Sequence, residues 1–312
     1  MICIPVTDKD DPQWQNLVIK SVNGTFYHSL GYVYVYASKV SEVVCFAFKG
    51  ADAMVAVISG GIVYSNGTTE FRSHFSSSFS GFCYSLPLKL KDACSVLDLL
   101  MITLKDKGVD RIVIQQPPAI YYRQVDEIME HAMFTSGFVV DNVELTYYLN
   151  ADFHPVHSVE RNLRKAEKMQ LSFCQTTDVS MVWKFLYEHK TIKGFYMSVS
   201  QEELNLLYGL FPGKIRLFAV YRQEEILAAI IVYCLNDLTV LGFAWAHDQR
   251  YQHLRPVDYL LYNTARTLFS EGIRYFDLGT VTIQGQPQWG VTRFKENYQP
   301  ASALRKCFAL RP

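Results

Sequence analysis

The sequence has 312 residues, enough for about two ordinary domains, and hydrophobic residues make up 49% of it. This composition excludes a disordered chain and a small disulfide-stapled fold. Lys plus Arg total 30 and Asp plus Glu total 30, so no net charge attracts nucleic acid or an anionic membrane, and any polyanion site must be local.

Residues 1–8 contain no basic n-region and no apolar h-region, so they lack the pattern of a secretory signal. The longest strongly apolar run, residues 226–235, is half as long as a membrane span. Seven scattered cysteines include no Cys-x-x-Cys pair. We therefore expect buried, reduced thiols in a cytoplasmic protein without a membrane span.

In the first half, strands are predicted at residues 43–48 and 54–58, with a hairpin turn at Ser59-Gly60-Gly61. A Ser- and Gly-rich stretch at 73–81 is typical of a surface loop. Apolar residues at helical spacing predict a helix over 92–107 that ends at Gly108. The remaining predictions for this half are a strand at 111–115, a helix at 121–136 and a strand at 143–149.

The second half is predicted to repeat this order after a helix at 156–169. The strands 215–221, 226–233 and 239–246 form an antiparallel meander, because turn residues separate them. A helix then begins at Pro256 and ends before Gly272. The elements predicted after it are a strand at 275–279, a helix at 289–297 and a strand at 301–310.

The junctions at Gly108 and Gly272 each follow a meander and a helix and precede a strand, which indicates an internal duplication. Coincidence among ordinary α/β elements is the alternative. Under either interpretation the fold class is α+β, with mixed, mainly antiparallel sheets flanked by helices. If the duplication is real, residues 43–149 and 215–310 superimpose.

Three stretches carry a family resemblance: the basic helix at 159–168, Gly-Ile-Arg-Tyr-Phe-Asp-Leu-Gly at 272–279, and Gly-Val-Thr-Arg-Phe-Lys-Glu-Asn-Tyr at 290–298. In this order they resemble the FemABX-like branch of the GNAT superfamily, tandem-domain transferases that include the peptidoglycan interpeptide-bridge enzymes. The resemblance implies two GNAT-like domains. We place them at residues 1–152, a degenerate domain, and 153–312, the domain with the active cleft.

Two departures from related proteins concern the acyl donor. GNAT acetyltransferases bind the coenzyme A pyrophosphate with a glycine-rich turn at a helix N-terminus. The corresponding residues 252–258 contain no glycine, and Pro256 lacks an N–H donor, which argues against the usual coenzyme A site. Some relatives carry a coiled-coil arm for transfer RNA, and no heptad segment of that kind occurs here. The donor stays open between an acyl-CoA and an aminoacyl ester, and no other cofactor is expected.

Lys295 matches a family lysine that binds or stabilises the acyl donor, and a cation there could stabilise a developing oxyanion. We expect its ammonium group to face the groove beside the 275–278 strand. Lys295→Ala is expected to lower turnover far more than stability. The alternative is a solvated lysine on a short helix. Arg293 and Arg305 lie with Lys306 and Arg311 in one basic C-terminal stretch and could bind phosphate, although strand alternation could send Arg305 and Lys306 to opposite faces.

Arg161, Arg164 and Lys165 share one stripe of the predicted helix and could bind an anionic acceptor, or they could form a solvated face. Asp277 ends a core strand. It could accept a proton from an attacking amine or bind backbone amides of the next loop. His154 and His157 lack a ligand at complementary spacing, so no metal site is expected.

These residues predict an acyl- or aminoacyl-transferase that forms an amide on an amine, with Lys295 and Asp277 as catalytic residues. The acceptor would be a cell-envelope precursor, a glycopeptide or another small metabolite. Transfer RNA is a conceivable partner that the missing arm does not support. The alternative is a non-catalytic tandem-GNAT protein that binds an anionic glycan or a nucleotide sugar.

Overall fold

A computed structural model describes residues 1–51, 53–65 and 67–311. The chain folds into two compact units, the first formed by Met1–Glu144 with Leu304–Pro312 and the second by Leu145–Ala303. The predicted boundary at residues 152 and 153 differs from this division. Residues 304–310 belong to the first unit because they form a strand that pairs there with residues 112–115.

The first unit and the strand that leaves it contain these elements in chain order: β1 (Ile2–Pro5), α1 (Pro12–Lys20), α2 (Leu30–Val35), β2 (Glu42–Lys49), β3 (Met54–Ser65), β4 (Thr68–Arg72), β5 (Phe82–Tyr84), α3 (Leu90–Asp106), β6 (Arg111–Gln115), α4 (Ile128–Thr135) and β7 (Val139–Leu149).

Strands β1 to β4 of the first unit are antiparallel neighbours, and β6 pairs parallel to β4. Helix α3 buries Val96, Leu97, Leu100 and Leu104 in the core of this unit because these residues share one helical face. The chain leaves α3 through Gly108, whose φ of +74° suits a residue without a Cβ. The helix and its glycine cap are as predicted.

The second unit continues from β7, and the last strand of the chain follows it: α5 (His157–Lys168), β8 (Ser172–Thr176), α6 (Val179–Thr191), α7 (Gln201–Leu210), β9 (Ile215–Arg222), β10 (Glu225–Cys234), β11 (Thr239–His247), α8 (Pro256–Ser270), β12 (Tyr275–Thr280), β13 (Thr282–Ile283), β14 (Gln286–Pro287), α9 (Trp289–Glu296) and β15 (Ala301–Leu310).

The sheet of the second unit has the order β7, β12, β11, β10, β9, β8. Only the β11–β12 pair is parallel among its described ladders. Both units therefore contain a mixed, mainly antiparallel sheet with helices, as predicted. A meander, a glycine-capped helix, a parallel strand and a second helix occur in both, while the superposition of residues 43–149 on 215–310 stays a prediction.

Three local predictions differ in part from the structure. The predicted turn at Gly60 and Gly61 lies inside β3, because a Cβ on Gly60 would stand 2.4 Å from the ring of Phe71 and the strand needs glycine there. The predicted helix at 121–136 is shortened to α4. Residues 73–81 form turns as predicted, but Phe79 is fully buried, so the segment is not wholly a surface loop.

Within the part of the chain that the structure describes, no helix combines the length and apolarity needed to cross a bilayer.

Candidate active site

A splay between β11 and β12 organises the second unit. The two strands pair at Thr239↔Tyr275, Val240↔Phe276 and Leu241↔Asp277, after which the described pairing ends. Strand β11 continues to His247, and its register against β10 shifts so that Phe243 is the extra residue of a bulge. Strand β12 instead pairs with β7. The divergence opens a wedge at the carboxyl ends of two parallel strands.

The side chain of Lys295 lies at this wedge. Helix α9 carries it, and its Nζ donates to the carbonyl oxygens of Gly279 and Thr280, each at 2.9 Å. The same Nζ stands 5.5 Å from the centre of the Trp245 ring of β11. Lys295 is only 3% exposed, so it is not a solvated lysine. The expectation that its replacement spares stability was wrong, because removing a buried cation leaves two carbonyl oxygens without their donor.

Asp277 is fully buried at the end of the paired part of β12. Its Oδ1 accepts a hydrogen bond from the Gly279 backbone N–H at 2.7 Å and another from the Thr146 hydroxyl. Gly279 has a φ of +80° where the register of β12 against β7 shifts, which explains a glycine at this position. Asp277 thus holds the end of β12, whose carbonyls bind Lys295, which is the structural role that the sequence left open beside proton transfer.

The predicted stripe on α5 is exposed. Arg161, Arg164 and Lys165 all face solvent, while Val159 and Leu163 on the opposite side are buried. Arg164 lies 3.7 Å from Glu160 one helical turn away. Such an exposed ion pair contributes little to stability. The three cations are accessible to an anionic ligand, but their contacts do not form a defined binding site.

The predicted basic C-terminal set is divided between the two units. Arg293 is exposed on α9 of the second unit. Arg305 belongs to the first unit, where it is 5% exposed and its guanidinium lies 5.5 Å from the centre of the Phe79 ring. Lys306 forms an ion pair with Glu130 in the first unit. Strand alternation turns Arg305 inward and leaves Lys306 partly exposed, which separates the two cations as the sequence analysis allowed.

A buried hydrogen-bond network surrounds Asp258, and the sequence did not predict it. Its Oδ1 accepts from the Tyr298 hydroxyl at 3.0 Å, and its Oδ2 accepts from the Asn162 amide at 2.8 Å. Burial raises the pKa of Asp258, and burial together with this carboxylate raises the pKa of Tyr298 well above its ordinary value. The network joins α5 and α8 to Tyr298, which lies two residues after the end of α9. Its one sequence signal is an acid in the first turn of a helix that begins with proline.

The N-terminus of α8 differs from a glycine-rich phosphate turn in the structure as well. Pro256 is the first helical residue and supplies no N–H, and Arg255 before it has a φ of +62°. The buried Asp258 carboxylate lies in the same first turn. A carboxylate and a missing donor both oppose a bound pyrophosphate at this helix end.

The described residues contain no group of three His, Cys, Asp or Glu side chains that could hold a metal ion. His157 bonds Glu160 on its own helix at 3.2 Å.

The parallel pair that splays beyond a bulge, with helices on the sheet, defines a GNAT-type fold. Residues 156–296 match the family described as Acetyltransferase (GNAT) domain. No curated protein sequence matches the chain.

Three solved structures share the fold over nearly the whole chain. FemX has a TM-score of 0.75 at 11% identity, with 99% of this chain and 97% of that chain covered. L-PGS from Bacillus licheniformis has a TM-score of 0.63 at 12% identity, covering 96% and 92%. A tandem GNAT protein from the clavulanic acid biosynthesis pathway has a TM-score of 0.54 at 9% identity, covering 99% and 97%. The resemblance in fold to FemABX-like proteins and the tandem GNAT-like fold class are thereby confirmed.

Proposed function

We propose that the protein is an acyl- or aminoacyl-transferase that forms an amide bond at the β11–β12 splay of the second unit. The observation that carries this proposal is the buried ammonium group of Lys295, which two carbonyl oxygens hold at the wedge. The match of residues 156–296 to a GNAT acetyltransferase domain supports the reaction class.

The reaction begins when a neutral amine attacks the carbonyl carbon of the acyl donor. A C–N bond forms, and the carbonyl electrons move onto oxygen to give a tetrahedral oxyanion. The oxyanion then collapses, the bond to the leaving oxygen or sulfur breaks, and the nitrogen loses a proton to water or to the leaving group. The rate depends on holding the amine against the carbonyl and on stabilising the negative charge.

Lys295 supplies the positive charge in this scheme. Its carbonyl partners restrict the ammonium to one position, so little reorganisation is needed as negative charge develops. Removal of one such preorganised donor in other enzymes costs about 2.7–4 kcal/mol, or about a hundredfold to a thousandfold in rate. Asp277 acts as a positioning residue in this proposal, because its carboxylate accepts the Gly279 N–H and holds the end of β12.

The donor is proposed to be an aminoacyl ester rather than coenzyme A. Pro256 and Asp258 in the first turn of α8 support this choice, since they oppose a pyrophosphate there. Another solved structure of this fold is the C-terminal domain of a putative lysylphosphatidylglycerol synthetase from Agrobacterium fabrum. A synthetase of that name joins a lysyl group to a lipid, which is an aminoacyl transfer. The exposed cations Arg161, Arg164 and Lys165 are proposed to contact an anionic carrier or acceptor.

The acceptor is proposed to be an amine on a cell-envelope precursor, since the FemABX-like resemblance includes peptidoglycan bridge-forming enzymes. The test incubates the full chain with aminoacyl ester donors and a UDP-linked peptidoglycan peptide, and measures the amide product by mass spectrometry. Acetyl-CoA serves as the competing donor.

Two variants make the test specific. Lys295→Met keeps the aliphatic stem and removes the charge, so product formation falls at least a hundredfold. Glu296→Gln, on the exposed side of the same helix, retains activity. Full activity of a folded Lys295→Met variant would refute the role of Lys295, and absence of any amide product with every donor would favour a non-catalytic binding protein.

A further inference from the structure

The segment between α6 and α7 exposes large apolar side chains. Tyr196 is 83% exposed, Ile192 is 65% exposed and Phe195 is 53% exposed. Helices α6 and α7 form a helical hairpin, and we call these three residues, together with Lys190 and Lys193, the hairpin tip. A cluster of this kind is unfavourable in water, because its apolar surface stays in contact with water. Burying that surface against a partner would lower the free energy.

The backbone holds the hairpin tip in place. Helix α6 ends where the Phe195 N–H donates to the Lys190 carbonyl oxygen at 2.9 Å, and Gly194 has a φ of +75°. After the tip, the indole N–H of Trp183 donates to the Val199 carbonyl oxygen at 3.0 Å. The exposed aromatic side chains are therefore carried by a closed turn of defined geometry.

The inward side of the hairpin already has its packing partners. Helix α6 buries Val182, Phe185 and Leu186, and it contacts strands β9, β10 and β11. Helix α7 buries Leu204 and Leu207 and packs on α6. The apolar tip is thus additional to the core of the second unit.

The charge of the hairpin tip is locally positive. Residues 190–200 contain Lys190 and Lys193 and no Asp or Glu. The Lys190 Nζ lies 5.6 Å from the centre of the Phe195 ring, so one of these cations stands beside an exposed aromatic side chain. Glu188 precedes the tip and Glu202 and Glu203 follow it, and the Glu203 carboxylate accepts the Ser200 backbone N–H at 2.8 Å as a helix cap.

We propose that the hairpin tip docks the second unit on an anionic phospholipid surface. Aromatic and aliphatic side chains flanked by lysines are typical of segments that enter the interface of a bilayer without crossing it. The lipid phosphates would meet the ammonium groups of Lys190 and Lys193, and the acyl chains would cover Ile192, Phe195 and Tyr196. This proposal stands independently of the transferase reaction.

The test measures co-sedimentation of the full chain with vesicles of phosphatidylcholine, with and without added phosphatidylserine, at low and high salt. We expect binding to the anionic vesicles that decreases with salt. The double variant Lys190→Gln/Lys193→Gln should weaken binding roughly thirtyfold, since each lysine near an anionic surface contributes about 1 kcal/mol and about 1.4 kcal/mol is a factor of ten. Phe195→Ser/Tyr196→Ser should weaken it roughly a hundredfold.

A matched control lies in the first unit, where Lys89 and Lys91 flank Leu90, which is 44% exposed. Lys89→Gln/Lys91→Gln should bind vesicles as the unchanged protein does. Thermal unfolding of each variant checks the fold. The proposal is overturned if the unchanged protein ignores anionic vesicles, or if the folded tip variants bind them equally well. Self-association that the tip variants abolish, without vesicle binding, would assign the surface to a second copy of the chain.

Discussion

The ammonium nitrogen of Lys295 lies 2.9 Å from the carbonyl oxygen of Gly279, at the point where β12 diverges from β11. The backbone N–H of the same glycine donates to Asp277. One residue in a positive-φ conformation therefore connects the buried acid to the buried cation. The position of Lys295 depends on that conformation, and the first prediction follows from it.

Gly279→Ala should lower the free energy of unfolding by about 1–3 kcal/mol, because a residue with a Cβ is strained at a φ of +80°. Its Cβ would also stand 3.8 Å from the Lys295 Nζ. Urea unfolding measures the change. Gly290→Ala on α9 is the control, since its Cβ would meet no described atom within 4 Å and alanine favours a helix. Equal stability of both variants would contradict the prediction.

Asp258→Asn should alter how stability depends on pH. The pKa of Asp258 is raised in the folded protein, so the folded state retains its proton longer than the unfolded state does. Its contribution is therefore most favourable below the unfolded pKa of about 3.9 and declines as pH rises through the higher folded value. The stability of the asparagine variant relative to the unchanged protein should rise across that window in urea unfolding. If the difference in unfolding free energy between the two proteins did not vary with pH, the pKa of the Asp258 carboxyl group would not be raised by folding.

His28 should make the first unit sensitive to acid. Burial lowers its pKa to about 4, and its Nε2 donates to the Ser80 carbonyl oxygen while its Nδ1 accepts from the Thr25 backbone N–H. The folded pKa lies below the unfolded value of about 6.5, so this contribution is present above pH 6.5 and is lost as pH falls toward 4. Between pH 7 and pH 5 the loss is about 2 kcal/mol.

Urea unfolding at the two pH values measures that loss, and His28→Gln should reduce it. His131, which is exposed, provides the control substitution to glutamine. The same pH dependence in all three proteins would contradict the role given to His28.

Acetyl-CoA should bind weakly or not at all. Pro256 lacks an N–H, and the buried Asp258 places negative charge in the first turn of α8. Isothermal titration calorimetry tests this directly. A low-micromolar dissociation constant, corresponding to about −8 kcal/mol, would show that another part of the chain supplies a phosphate site.

The sequence alone predicted most of the core elements of both units. Helices α3 and α8 each repeat apolar residues along one face, and a glycine follows the C-terminus of each helix. Both signals lie within one or two helical turns of sequence, so the helices can be predicted without the tertiary structure. The meander β9 to β11 was equally clear because polar turns separate three apolar runs. The sequence analysis assigned no elements to residues 170–214, where the structure has β8, α6 and α7.

The role of the candidate site residues depended on the tertiary structure. The family resemblance selected Lys295 and Asp277, but burial and the carbonyl partners of Lys295 follow from the backbone conformation at Gly279. Asp258 is 96 residues from Asn162 and 40 from Tyr298, so no local pattern could join the three. Hydrogen bonds between distant residues form only after the sheet and helices have packed, because packing removes the water that would otherwise satisfy these polar groups.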